Sequence, residues 1–170
     1  LHGKPVKMDS FRKAIANGLS LVPEDRKTQG LVQIATVSRN INMVNMDAAA
    51  HGFVMDDAKE RKISAEYVQK LDISTPSVDT EAQYLSGGNL QKVVIAKWLV
   101  RDCDILIFDE PTRGIDVGAK NEIYKLMNHL VEEGKSIIMI SSELPELLRM
   151  SDRIAVMCEG ELTGILNIEE

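Results

Sequence analysis

From residue 86 onward, short all-apolar runs alternate with longer stretches that carry their apolar residues on one helical face. A long apolar helix opens at Ser86-Gly87-Gly88 and runs to about Arg101. Ile105 to Phe108 is a run as expected for a strand buried on both faces. The next helix spans Gly118 to Glu133, with Ile123, Leu126, Met127, Leu130 and Val131 on one side, and Gly134 ends it. Ile137 to Ile140 reads as a second buried strand. A helix follows at Leu144 to Met150 with Pro145 in its first turn. Strands at Arg153 to Met157 and Glu161 to Leu166 then form a hairpin through Glu159-Gly160. Strands alternating with helices predict an α/β fold with a mostly parallel sheet and right-handed crossovers. The hairpin is its antiparallel part.

The first half is less regular. Residues 4 to 8 pattern as a short strand. Asp9 or Ser10 caps a helix over Phe11 to Asn17, and Gly18 ends it. Leu19 to Val22 is a short apolar strand that Pro23 breaks, leading into the polar loop Glu24 to Gly30. Thr36 to Met46 starts with a cap residue and predicts a helix. Asp56 to Leu71 predicts another, with a stripe at Ile63, Tyr67, Val68 and Leu71. Its other face, Lys59, Glu60, Arg61, Lys62 and Glu66, reads as solvated. Ser74 to Ser77, with Pro76, is a linker.

The chain has 170 residues, 44% of them apolar, enough for one domain with a core. The net charge of −6 gives no support for a nucleic-acid partner, because phosphate backbones attract basic faces. No apolar run approaches the length of a membrane span, and the polar start Leu1-His2-Gly3-Lys4 does not pattern as a signal peptide. Cys103 and Cys158 lack metal-like spacing and read as buried free thiols of a reducing compartment. His2, His51 and His129 read as surface or helix-face histidines. The chain does not begin with Met and is expected to be a fragment.

Two stretches carry candidate chemistry. Ser86-Gly87-Gly88 opens a helix, where unpaired N–H groups and the dipole favour an anion and glycines permit close approach. The same residues are also a plain N-cap after a turn. Asp109-Glu110 follow an apolar strand, at the edge where open α/β sheets bind ligands. In order, Leu85-Ser86-Gly87-Gly88-Asn89-Leu90-Gln91-Lys92, one helix, an apolar strand and Asp109-Glu110-Pro111-Thr112 resemble the ATP-binding cassette (ABC) ATPases. Leu85 to Gln91 is similar to their signature motif and Ile105 to Asp109 to their Walker B strand. Glu110 falls at the catalytic glutamate and Gly114-Ile115-Asp116 at the D-loop. Val22 to Lys27 is similar to the Q-loop region, with Glu24 where most cassettes have a glutamine that reaches Mg²⁺. Ser141-Ser142-Glu143 stands where most carry a switch histidine, Ser142 at that position, and a hydroxyl is no imidazole relay. The strings Asp109 to Lys120 and Ser141 to Leu148 resemble the second cassette of duplicated ATPases for ribose, xylose, galactose or arabinose import.

The resemblance implies an ABC-type P-loop core lacking its N-terminal part. Residues 1–35 would be the end of the N-terminal core, 36–84 an inserted helical subdomain, and 85–170 the signature helix, Walker B and C-terminal core. No Gly-x-x-x-x-Gly-Lys-Ser/Thr occurs in the chain. The implied cofactors are ATP and Mg²⁺. Asp109 and Glu24 would serve the metal and Glu110 the attacking water. Ser86, Gly87, Gly88, Gln91, Asp116 and Ser142 would serve the nucleotide, the signature residues closing on ATP held by a second cassette. Asp116 reads equally as the cap of the next helix. The partners would be that cassette, a membrane permease and, indirectly, a sugar-binding protein, at the cytoplasmic face of the membrane. The leading function is the C-terminal part of an ATP-hydrolysing sugar importer subunit. A non-catalytic module that supplies signature and docking surfaces stays open beside it. A non-transport ATPase of DNA repair or translation is disfavoured by the acidic charge.

Overall fold

In a computed structural model, residues 1, 3–46, 50–51 and 54–168 are described. Three parallel strands form the centre: β1 (Leu19–Val22), β4 (Ile105–Asp109) and β5 (Ser136–Ile140), in the order β1-β4-β5. Two short strands, β2 (Ala50–His51) and β3 (Val54–Met55), pair antiparallel elsewhere, where the sequence pattern gives no strand. The helices are α1 (Phe11–Ala16), α2 (Val37–Asn42), α3 (Asp57–Lys70), α4 (Gly87–Leu99), α5 (Val117–Glu132) and α6 (Leu144–Met150). Their starts follow the caps in the sequence. Ser10, Thr36, Asp56, Ser86 and Asp116 each accept a hydrogen bond from a first-turn N–H.

The register places Ser20 beside Leu106 and Val22 beside Phe108, with Ile137 and Met139 next across the sheet. That face packs with Val93, Val94, Ile123, Met127 and Leu130 of α4 and α5 into one core, which extends to Val37, Ile41 and Leu71. The opposite face carries Leu19, Leu21, Ile105, Ile107, Ile138 and Ile140. Leu21, Ile138 and Ile140 are 47%, 52% and 49% exposed. The expected burial on both faces of Ile105 to Phe108 is complete only at Leu106 and Phe108, with Ile105 and Ile107 half-buried, and the expected buried strand at Ile137 to Ile140 has no fully buried residue.

Several expectations are corrected. Residues 4–8 form no strand; their backbone has no ladder partner, and Val6 and Met8 lie exposed. The helix expected to reach Met46 ends at Asn42, whose side chain turns inward to Ser38 O, Glu60 O and Ser64 Oγ. The loop at 24–30 tightens into a π-helical turn over Arg26–Gly30, capped by Asp25. Glu60 is buried rather than solvated, 3.6 Å from Arg39, and burial raises its carboxyl above the ordinary value. Val131 is exposed at the rim of α5. Cys103 is buried, but Cys158 is exposed at the end of β6 (Arg153–Cys158). β6 pairs with β7 (Glu161–Asn167) as a separate two-stranded sheet, not as an extension of the parallel one. His129 is exposed on α5 within 3.7 Å of Glu132 and 3.6 Å of Glu133. His2 lies outside the described residues.

Candidate functional site

Parallel strands put their carboxyl ends on one edge, where loops gather. Here the loops after Val22, Asp109 and Ile140 leave from that edge. Asp109 ends β4 and is half-buried; its carboxylate makes no hydrogen bond or ion pair among the described residues. Among the described residues no three His, Cys, Asp or Glu side chains converge. Mg²⁺ keeps waters and takes one or two carboxylates beside substrate phosphates, so Asp109 alone fits the protein's share of such a site.

Glu110 is fixed twice. Its backbone N–H donates to Ile140 O at 2.9 Å, and its Oε1 accepts from Ser142 N–H at 2.7 Å. Its φ is +46°, a left-handed conformation that a glutamate holds only where its surroundings impose it. The second bond comes from the backbone of Ser142. The residue expected in place of an imidazole thus reaches the acid through its amide, not through its hydroxyl.

Glu24 is engaged by Arg113 in an ion pair. The expectation of Glu24 as a metal ligand meets this competing partner: the carboxylate is neutralised by a guanidinium instead of standing free like Asp109. Beside it, Arg26 donates from Nη1 to Arg113 O at 2.8 Å and from Nη2 to Gly114 O at 3.0 Å. A planar fork gripping successive carbonyls fixes the loop between β4 and α5. The π-helical turn that carries Arg26 is anchored in its own right. Lys97 Nζ donates to Gly30 O, and burial lowers the Lys97 ammonium below its ordinary value. A Cβ on Gly30 would come within 2.9 Å of Val94 Cγ2.

The start of α4 faces the same loop. Ser86 is exposed, and its Oγ accepts from Asn89 N at 3.4 Å and from Asn89 Nδ2 at 2.9 Å. A Cβ on Gly87 would stand 3.1 Å from Arg26 Nη2 and 3.3 Å from Ile115 Cγ2. Gly88 is buried, and a Cβ there would meet Ala119 Cβ at 2.7 Å, so helix packing requires this glycine. Gln91 is 1% exposed, with Nε2 buried and unpaired. It points into the core and leaves the surface group formed by Ser86, Gly87 and Asp116. Asp116 Oδ1 accepts from Ala119 N at 3.0 Å and caps α5. One residue escaped sequence reasoning: Glu146, which sits buried between Thr112, Tyr124 and Ser141. Its only signal was an acid in the first turn of a short helix.

The sequence pattern of the ABC transporter family matches residues 1–113. The chain belongs to the ABC transporter family. It is 56% identical over 167 residues to the ribose/galactose/methyl galactoside import ATP-binding protein 3 named in Burkholderia ambifaria, covering 98% of this chain and 33% of that protein. It is 50% identical to ribose import ATP-binding protein RbsA of Shouchella clausii, over 98% of the cassette chain and 34% of RbsA. Xylose import ATP-binding protein XylG of Moorella thermoacetica matches at 48% over the whole chain and 34% of its own length. The chain thus spans about a third of these curated relatives. Among solved structures, a nucleotide-free ATP-binding cassette from an ABC transporter superimposes with a TM-score of 0.75 at 21% identity, over 92% of this chain and 64% of that one. The dimeric post-hydrolysis cassette MJ0796 bound to ADP and Pi gives 0.72 at 20%, over 91% and 64%. At such identities the likeness is one of fold.

Proposed function

We propose that this chain is the C-terminal part of an ATP-hydrolysing cassette that powers import of a simple sugar through a membrane permease. The observation that carries the reading is the pair Asp109 and Glu110 at the carboxyl edge of the sheet, one acid unpartnered among the described residues and the next held by Ser142 N–H. The names of the relatives, all sugar import ATP-binding proteins, support the transported class.

The roles follow from placement. Asp109 would hold Mg²⁺, which when bound neutralises charge on the transferring phosphate oxygens. Glu110 orients the attacking water and takes its proton. Ser142 N–H aims the Glu110 carboxylate. Ser86 and Gly87 present a hydroxyl and a helix start toward ATP held by a second cassette. Arg26 keeps the loop at 113–116 in register with that helix start. The segments 1–35, 36–84 and 85–170 take the roles of core end, helical subdomain and signature-bearing core. A permease at the cytoplasmic face and a sugar-binding protein complete the system.

A second reading is a cassette that lends its signature and hydrolyses little itself. The Ser142 amide standing where a histidine relay would be favours it. The transport reading is tested on the full-length protein reconstituted with its permease and binding protein, and the second by comparing loss of Glu110 with loss of Ser86 there. ATP hydrolysis should rise when the binding protein carries a pentose or galactose. Hydrolysis indifferent to every such sugar would reject the transport reading.

A further inference from the structure

We infer that Glu146 is a positioning residue for Glu110, closing a ring of hydrogen bonds and short backbone links between the loop after β4 and the loop after β5. Glu146 is 4% exposed, on α6, and acts through its neighbours. Its Oε1 accepts from Thr112 Oγ1 at 2.6 Å and from Tyr124 OH at 2.7 Å. Its Oε2 accepts from Ser141 Oγ. Ser141 Oγ accepts in turn from Glu143 N at 3.0 Å, and the intervening amide, Ser142 N, donates to Glu110 Oε1 at 2.7 Å. The ring therefore runs from Glu110 along the backbone to Thr112, by hydrogen bonds through Glu146 to Ser141, along the backbone to Ser142, and by the Ser142 N–H back to Glu110.

Only a carboxylate satisfies this geometry. Three hydroxyls converge as donors, and an ionised carboxylate is acceptor-only on both oxygens. Burial pulls the Glu146 carboxyl upward, but the hydroxyls of Ser141, Thr112 and Tyr124 outweigh it and leave it below its ordinary value. Burial and the bond to Glu146 push the Tyr124 hydroxyl up to about 12, so it remains a donor. A glutamine would offer one oxygen and one N–H₂. Ser141 Oγ would then face two donors, Glu143 N and the new amide, and its own proton would lose its acceptor. The loop at 141–142 would shift, and with it the amide that aims Glu110. The left-handed backbone of Glu110 makes this support matter, because that conformation persists only when over-determined.

The inference rests on the reading of Glu110 as the water-orienting acid, and its first readout does not. Full-length protein carrying Glu146→Gln is compared with the parent by hydrogen exchange. Amide exchange across 141–144 should quicken on the order of tenfold while α4 amides stay unchanged; steady-state kcat should fall about threefold to tenfold, no further than loss of Glu110 itself lowers it, with KM for ATP within about twofold. Unchanged exchange at 141–144, unchanged kcat, or quickened exchange throughout α4 would each overturn the inference. If the Gln variant does not fold, Ser141→Ala removes one leg of the ring and carries the same expectations. A parent protein that exchanges slowly at 141–144 yet hydrolyses no ATP would reject the ATPase reading, and the exchange arm still decides the ring.

Discussion

Gly88 in the first turn of α4 lies so close to Ala119 of α5 that a Cβ built on the glycine would stand 2.7 Å from the alanine's Cβ. Two carbons in contact sit at about 3.5–4.0 Å, so a methyl group here must force the helices apart. Two effects compete in Gly88→Ala. Helix propensity gains about 0.5–1 kcal/mol. Overpacking costs about 1–3 kcal/mol. The clash wins, and the urea midpoint should fall. Ala119→Gly in the same chain should restore most of the loss, because it removes the atom struck. A midpoint that stays put in Gly88→Ala would contradict the close approach.

The second face of the parallel sheet leads to a prediction about association. Leu21, Ile138 and Ile140 together present an apolar surface, and β1 and β5 are edge strands. The chain on its own should bind an apolar dye and self-associate as concentration rises. Ile138→Thr with Ile140→Thr keeps β-branched side chains suited to a strand and should reduce both signals. Sedimentation velocity and dye fluorescence read the outcome. A parent chain that is monodisperse and dye-silent would count against it.

Acid should act through Glu146. Its folded-state value is depressed below the ordinary 4.5, so its ionised form is favoured by folding. That contribution is fully present above the unfolded value and is lost as pH falls through the lower, folded value. Losing a charge-assisted acceptor costs about 1.5–3 kcal/mol. The stability gap between the parent and Glu146→Gln should be constant at neutral pH and shrink below 4.5. Urea titrations across that range measure it. A gap that widens in acid would reverse the sign.

How much of this was legible depends on the distance over which each fact is determined. Ser86, Asp56 and Asp116 as caps need only their own first turns, and all three cap as the sequence implies. The position of Asp109 needs only the apolar run before it. Gly88 looked like a phosphate-approach glycine because its reason, Ala119, is on another helix. Glu146 was hidden for the same cause: its three donors come from three separate segments. Glu60 reads as solvated because charge pattern says nothing about Arg39 across the helix pair. The helix start at Thr36 was readable, but its end at Asn42 was not. Apolar residues continue to Met46, and only the inward bonds of Asn42 mark the stop.

The last prediction concerns which of two composite sites carries turnover in the full-length protein, on the reading that it pairs with a second cassette. Ser86 is exposed at the start of α4, and Gly87 lies beside Arg26 with no room to spare, so this helix start is intact and preorganised. Ser86→Arg would place a bulky cation where backbone must approach phosphate, and it should abolish hydrolysis at the partner's site. Glu110, by contrast, is aimed by the Ser142 amide, a serine standing where the family carries its histidine. Glu110→Gln keeps the shape and removes the base. A general base commonly supplies about 10²–10⁴-fold. If this acid belongs to the weaker site, its loss should cost well under that range, while Ser86→Arg costs nearly everything. Steady-state ATPase of both variants, reconstituted with the permease and the loaded binding protein, separates the cases. Equal inactivity of the two would mean that both sites must fire for turnover, and the asymmetry drawn from Ser142 would be wrong.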